Sequence, residues 1–190
     1  MGKPKGCYVT IESKDIPKEE EDKEELLLCI CSELEKMVHD LRQKSVLIAG
    51  LGNRQVTSDS LGPRMAECIF VTRHLGRELG SWFMEENEYG EVSAIAPGVM
   101  AQTGMEAVEI LQGIVKKTGP DLVIVVDALA ARSMSRLCTT IQITDTGICP
   151  GSGIGNHRKA LSKESLGVPV VAVGVPTVVD AKTIISDHLE

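Results

Sequence analysis

Residues 121–126, DLVIVV, place the tightest limit on what this chain can become. An unbroken β-branched run of this length, with no polar alternation, belongs to a strand covered on both faces. Such strands occur in parallel sheets flanked by helices. Two further runs, SVLIAG at 45–50 and PVVAVG at 169–174, repeat the signal. Residues 92–96 read as another short strand. Residues 138–144 alternate, as a strand nearer an edge does, and 7–13 read as a strand within an extended arm over 1–17.

Helical periodicity fills the intervals. Over 22–43, Leu27, Ile30, Cys31, Leu34, Met37, Val38 and Leu41 recur at the i, i+3, i+4, i+7 spacing of one helix face. A second helix is expected to open with Pro63 at its first position and run to about residue 70. A third spans 105–117; it is apolar on more than one face, which predicts cover on both sides, and Gly119-Pro120 ends it. A fourth covers 178–189. Residues 76–91 read as a surface excursion, and 51–62, 97–104 and 147–156 as loops. Together these make an α/β chain, a single domain over 1–190, with a mostly parallel sheet and helices on both faces. Ligands in such folds bind beyond the carboxyl ends of the strands.

Composition narrows the function classes. Aromatic residues are 3% of the chain, so the core must be aliphatic. The net charge is −7, and much of it lies in KEEEDKEE at 18–25, which reads as a solvated helix start. No basic stripe points to direct nucleic-acid binding. No apolar run reaches the ~18 residues of a membrane span, and MGKPKG at the start lacks a signal-peptide core, so an intracellular protein is expected. Cys7, Cys29, Cys31, Cys68, Cys138 and Cys149 form no C-x-x-C pair and are expected to be reduced thiols without a metal.

Two acids stand where chemistry is expected. Asp127 directly follows LVIVV, and Asp59 lies in the loop after SVLIAG. If those strands are neighbours, the two carboxylates converge above the sheet. There, one could take a proton from water while the other donates to a carbonyl or leaving group. Structural roles fit the same residues: Asp59 as a turn or helix cap, Asp127 as a cap on a turn over 128–133. Asp145 and Asp180 read as structural. Gly50-Leu51-Gly52 lacks the third glycine of a dinucleotide turn. The glycine run at 151–156 could form an anion-holding nest but does not match the phosphate-loop pattern. His39, His74, His157 and His188 fall in no metal or nucleophile motif, and Ser152 lacks the nucleophile-elbow context.

Several long segments carry a family likeness. GLGNRQVTSDSLGPR (50–64), VTRHL (71–75), VSAIAPGVMAQTGME (92–106), VVDALAARS (125–133), TTIQITDTGICPGSGIGNHRKALSKESLGVP (139–169) and GVPTVVDA (174–181) resemble the germination proteases of spore-forming bacteria. The resemblance implies an atypical aspartic endopeptidase, made as a zymogen, whose fold is similar to that of hydrogenase-maturation endopeptidases. It implies catalytic roles for Asp59 and Asp127 and no cofactor or obligatory metal. The implied substrates are the small acid-soluble proteins of the spore core, and the implied assembly is a homotetramer. Departures are Ser58, where proline is usual, expected to loosen the loop, and His157, where lysine is usual. Family members also begin with a longer N-terminal prosequence and extend beyond Glu190, so a family C-terminal region is expected to be missing here. A nickel-linked maturation peptidase of the same fold and a non-cleaving peptide-binding core are the alternative readings.

Overall fold

The structure is a computed structural model that describes residues 4–13, 20–151 and 159–187. Six strands, β1 (Tyr8–Glu12), β2 (Val46–Gly50), β3 (Val92–Ile95), β4 (Leu122–Ala131), β5 (Thr140–Thr144) and β6 (Val170–Val179), form one sheet in the order β1-β5-β6-β4-β2-β3. β3, β2, β4 and β6 run parallel, and β5 and β1 complete the sheet through antiparallel pairings. DLVIVV thus lies at the centre: β4 pairs with β2 on one side and β6 on the other, and Leu122, Val123 and Val125 are fully buried.

The helices are α1 (Glu20–Met37), α2 (Leu61–Cys68), α3 (Arg73–Leu79), α4 (Ser81–Glu86), α5 (Met100–Thr103), α6 (Ala107–Thr118), α7 (Lys163–Leu166) and α8 (Ala181–Asp187). Strand periodicity sorts side chains to two faces. On one, Leu47, Ala49, Val123, Val125 and Val170 pack with Val108, Leu111 and Val115 of α6 and Leu166 of α7. On the other, Val46, Leu122, Ile143 and Val171 pack with Ile30, Leu34 and Met37 of α1. Helices on both faces of a mostly parallel sheet are therefore present as the sequence predicts.

Several boundaries differ, each for a local reason. α1 ends at Met37 rather than at 43, because Asp40 adopts a left-handed φ of 56° and a 3-10 turn follows at Leu41–Gln43. Leu41 still joins the same core cluster, which is why the helical period carries past the helix end. Cover of α6 is on one side, not two: Val108, Leu111 and Val115 are buried while Gln112, Gly113, Lys116 and Lys117 on its outer face are exposed. The excursion at 76–91 holds the end of α3 and all of α4, whose surroundings include a ring cluster of Phe70, Tyr89 and Phe83 with centroids 5.6 and 6.3 Å apart. Pro63 is the third residue of α2, after Leu61 and Gly62, still within the first turn where a missing N–H costs nothing.

The two central strands run further than their apolar runs. β4 continues through Asp127 to Ala131, and β6 continues through Gly174 and Pro176 to Val179, because the extensions pair with each other. A charged residue and a Gly-x-Pro ordinarily end a strand. Here the ladder shifts register between Leu129 and Ala130, at a bulge that accommodates the proline.

The start of α2 touches the sheet backbone directly. A Cβ on Gly62 would lie 2.3 Å from the Leu51 carbonyl oxygen and 2.5 Å from that of Val126; one on Gly50 would lie 2.0 Å from the Gly62 oxygen. Neither neighbour is a flexible side chain, so the contact requires glycine on both sides. Gly62→Ala is expected to destabilise the fold by about 3 kcal/mol through overpacking. Gly113→Ala, at a helical site with nothing within 4 Å of the added Cβ, is expected to stabilise it by about 0.5–1 kcal/mol. Urea denaturation of both variants checks the opposite signs.

Candidate active site

Asp127 and Asp59 reach one cleft from distant parts of the chain. Asp127 is 6% exposed, and its partner across the ladder is Gly174 of β6. The register continues sideways from Gly174 to Gln142 of β5 and on to Thr10 of β1. Laterally paired residues project to the same face. Asp127, Gln142 and Thr10 therefore share a floor, with the side-chain-free Gly174 between them. Leu129 reaches over that gap, since a Cβ on Gly174 would lie 2.5 Å from the Leu129 Cδ1. The Ala128 amide donates to Asp127 Oδ1 at 2.9 Å.

Asp59 closes a 3-10 turn at Thr57–Asp59. Its Oδ2 accepts the Asn53 amide at 2.7 Å. Gly52 (φ 113°) makes this turn possible, because a Cβ there would lie 2.1 Å from the Asp59 carbonyl oxygen and 2.9 Å from Oδ1. Each glycine of the G-L-G-N segment thus has its own close contact: Gly50 against Gly62, and Gly52 against Asp59. The turn is also tied to the sheet, for Thr177 Oγ1 of β6 donates to the Ser58 carbonyl at 2.6 Å. That bond uses the backbone of residue 58, so serine in place of proline does not remove the anchor. Arg54 adds an outer brace, its Nε donating to both carboxylate oxygens of Glu67 at 2.8 and 3.1 Å and holding that carboxyl below its ordinary range.

The purely structural readings of the two acids fare differently from what their positions suggest. Asp59 does serve a turn, closing the 3-10 turn and accepting the Asn53 amide, but Ser60 rather than Asp59 occupies the cap position of α2. Residues 128–131 are strand rather than turn, so Asp127 has no turn there to cap. Both acids line a cavity of about 620 Å³ together with Gly52, Val99, Arg132 and Cys149. A second cavity of about 690 Å³ shares Thr10, Leu129, Gln142, Ile148 and Cys149 with the first, adds Gly174, and continues toward β1.

Asp145 and Asp180 serve structure as expected, accepting the amides of Cys7 (2.7 Å) and Thr183 (2.8 Å) respectively. All six cysteines are free and exposed. His157, His188 and all but the first residue of the glycine run at 151–156 lie outside the described residues. Among the described residues no three His, Cys, Asp or Glu side chains gather as a metal site, and no helix is long and apolar enough to cross a membrane. Sequence reasoning missed two positioning groups, Asn53 and Thr177. Asn53 is polar at a strand exit and Thr177 follows a proline; neither signal separates a loop anchor from an ordinary surface residue.

An α/β sheet with a cleft at the carboxyl end of β2 and beside the extension of β4 has its cleft where such folds bind ligands. Residues 1–190 match the germination protease family, and the chain belongs to that family. It is 50% identical over 191 residues to the germination protease of Caldanaerobacter subterraneus subsp. tengcongensis, covering all of this chain and 58% of that one. Against the germination protease of Bacillus velezensis the identity is 51% over 193 residues, and against that of Bacillus subtilis 49% over 193; in each case all of this chain and 52% of the relative are covered. The chain thus spans little more than half the length of these relatives. Among solved structures, the [NiFe] hydrogenase maturation protease HycI of Thermococcus kodakarensis aligns with 83% of this chain and 93% of its own, at 20% identity and a TM-score of 0.48.

Thr177→Val keeps the shape of the side chain but removes the bond to the Ser58 carbonyl. A stability loss of about 1 kcal/mol is expected. Faster hydrogen exchange at the amides of residues 57–59 than in the parent would confirm that this bond holds the Asp59 turn.

Proposed function

We propose that this chain is the catalytic core of a spore-germination endopeptidase in which Asp59 and Asp127 act as a carboxylate dyad. Membership of the germination protease family supports the activity class. The single observation that carries the site assignment is that both acids line one cleft, held there from opposite directions by Asn53 and by the β4–β6 ladder. Residues 1–190 act as one unit in this reading, and the substrates are the small acid-soluble proteins of the spore core. The family resemblance also brings the homotetramer, the zymogen stage and the spore-core location, all as parts of the same proposal.

The chemistry needs one ionised and one protonated carboxyl group. The ionised member takes a proton from a water molecule in the cleft. The water oxygen bonds to the carbonyl carbon of the scissile peptide as the protonated member donates its proton to the carbonyl oxygen. The tetrahedral intermediate then collapses: one of its hydroxyl groups returns a proton to the carboxylate that had protonated the carbonyl oxygen, its C–N bond breaks, and the amine leaves with the proton first taken from water. The products are a new carboxyl terminus and a new amino terminus. The anchoring bonds matter because a dyad works only while both carboxyl groups stay within hydrogen-bonding reach of the same water and carbonyl.

Asp59→Asn and Asp127→Asn are each expected to lower cleavage of a small acid-soluble spore protein by about 100-fold or more, with the circular dichroism spectrum unchanged. Full cleavage by either folded variant would remove that residue from the mechanism.

A further inference from the structure

β4 is paired on both sides only as far as Val126. The β2–β4 ladder ends at Gly50–Val126, and the amide of Leu51 donates to the Val126 carbonyl as the last bond on that side. Beyond it, from Asp127 to Ala131, β4 has a strand partner on the β6 side alone among the described residues. The polarity of the strand follows from its bonds. The Val123 amide donates toward β6 at Pro169, and the Val126 carbonyl accepts from the β2 side. Alternation then turns the peptide groups of Ala128 and Ala130 to the open side. The Ala128 amide is taken up by the Asp127 carboxylate, which leaves the Ala128 carbonyl and the amide and carbonyl of Ala130 directed outward.

A second observation places this edge inside the cleft. Every residue from 127 to 132 lines the cavity that holds both acids. Successive residues of a strand face opposite sides of the sheet. A cavity touching all of them therefore reaches the strand edge as well as the face that carries Asp127, Gln142 and Thr10. The two residues whose peptide groups face the open side, Ala128 and Ala130, are alanines, so their own side chains add little bulk at the edge. An open edge is a hazard when it lies flat on a surface, because other chains can add to it. Recessed in a cleft, it admits a single extended segment.

We propose that the substrate polypeptide binds as an added strand along residues 128–131 of β4, its backbone hydrogen-bonding to the Ala128 carbonyl and the Ala130 amide, which delivers the next peptide bond to Asp127. This rests on the endopeptidase reading above and names how that site holds its substrate. Strand addition binds through the main chain and leaves side chains free to be read by the pocket walls. It also requires the substrate to be locally extended, so folded or helix-bound segments would be cut only after release.

The test uses a peptide spanning one mapped cleavage site and a set of analogues, each N-methylated at one amide other than the scissile one. Dissociation constants are measured with the Asp127→Asn protein and kcat/KM with the unaltered protein. The expected result is a period of two. Methyls at alternate amides on one side of the scissile bond weaken binding by about 3- to 10-fold or more, and methyls at the intervening amides have little effect. Uniform tolerance of methylation, with the parent peptide still cleaved, would overturn strand addition while leaving the peptidase reading intact. A period of two in the dissociation constants without cleavage by the unaltered protein would support strand addition and overturn the peptidase reading instead.

Discussion

Everything at the candidate site depends on one backbone contact: Gly62, at the start of α2, lies against the main chain of Leu51 and Val126. The helix could not approach the ends of β2 and β4 so closely with any side chain at that position, nor with one on Gly50. Because α2 is seated there, the loop that precedes it has to double back over the strand ends. The 3-10 turn bearing Asp59 is the result. Glycine is used here for absence of volume, and only at Gly52 does a positive φ also require it.

Once the loop is folded back, its position is set by polar contacts from three sides. Asn53 donates its amide to the Asp59 carboxylate and accepts Gln102 of α5 on its side-chain oxygen at 3.1 Å. Thr177 holds the neighbouring carbonyl from the sheet. The partners come from the loop itself, from the segment after β3 and from β6, so movement of any one of these is felt at the acid. At the base of the sheet, Asp121 accepts both the amide and the hydroxyl of Ser45 at 2.8 Å, which lowers the pKa of its carboxyl and locks the entry of β4 to that of β2. The register of the two strands is thus pinned at the end opposite the cleft, and Gly50 and Val126 arrive level with each other.

The sheet also explains why the cleft is roomy on one side of Asp127. Gly174, opposite the acid, contributes no side chain, and Gln142 and Thr10 continue the floor toward β1. The two adjoining cavities together follow this row of residues. A cleft longer than a single residue side chain accords with an endopeptidase reading, in which residues on either side of the cut must be accommodated.

The sequence by itself determined the layers. Unbroken runs such as LVIVV and VLIAG have no polar face to offer water, so they had to become central strands, and the periodicity of 22–41 had to lie along them. It also singled out Asp127 and Asp59 as acids following such strands. Where the strands stop was decided by tertiary pairing, because the β4 and β6 extensions each contain residues that end a strand in isolation, Asp127 in one and Pro176 in the other, and persist only alongside each other. The placing of Asp59 and Asp127 in one cavity was likewise a tertiary outcome. It requires β2 to lie beside β4 and α2 to sit on both, and no spacing along the chain encodes those distances. The anchoring roles of Asn53 and Thr177 were invisible beforehand for the same reason: a hydrogen bond across 119 residues, as from Thr177 to Ser58, exists only after the sheet has brought its two ends together.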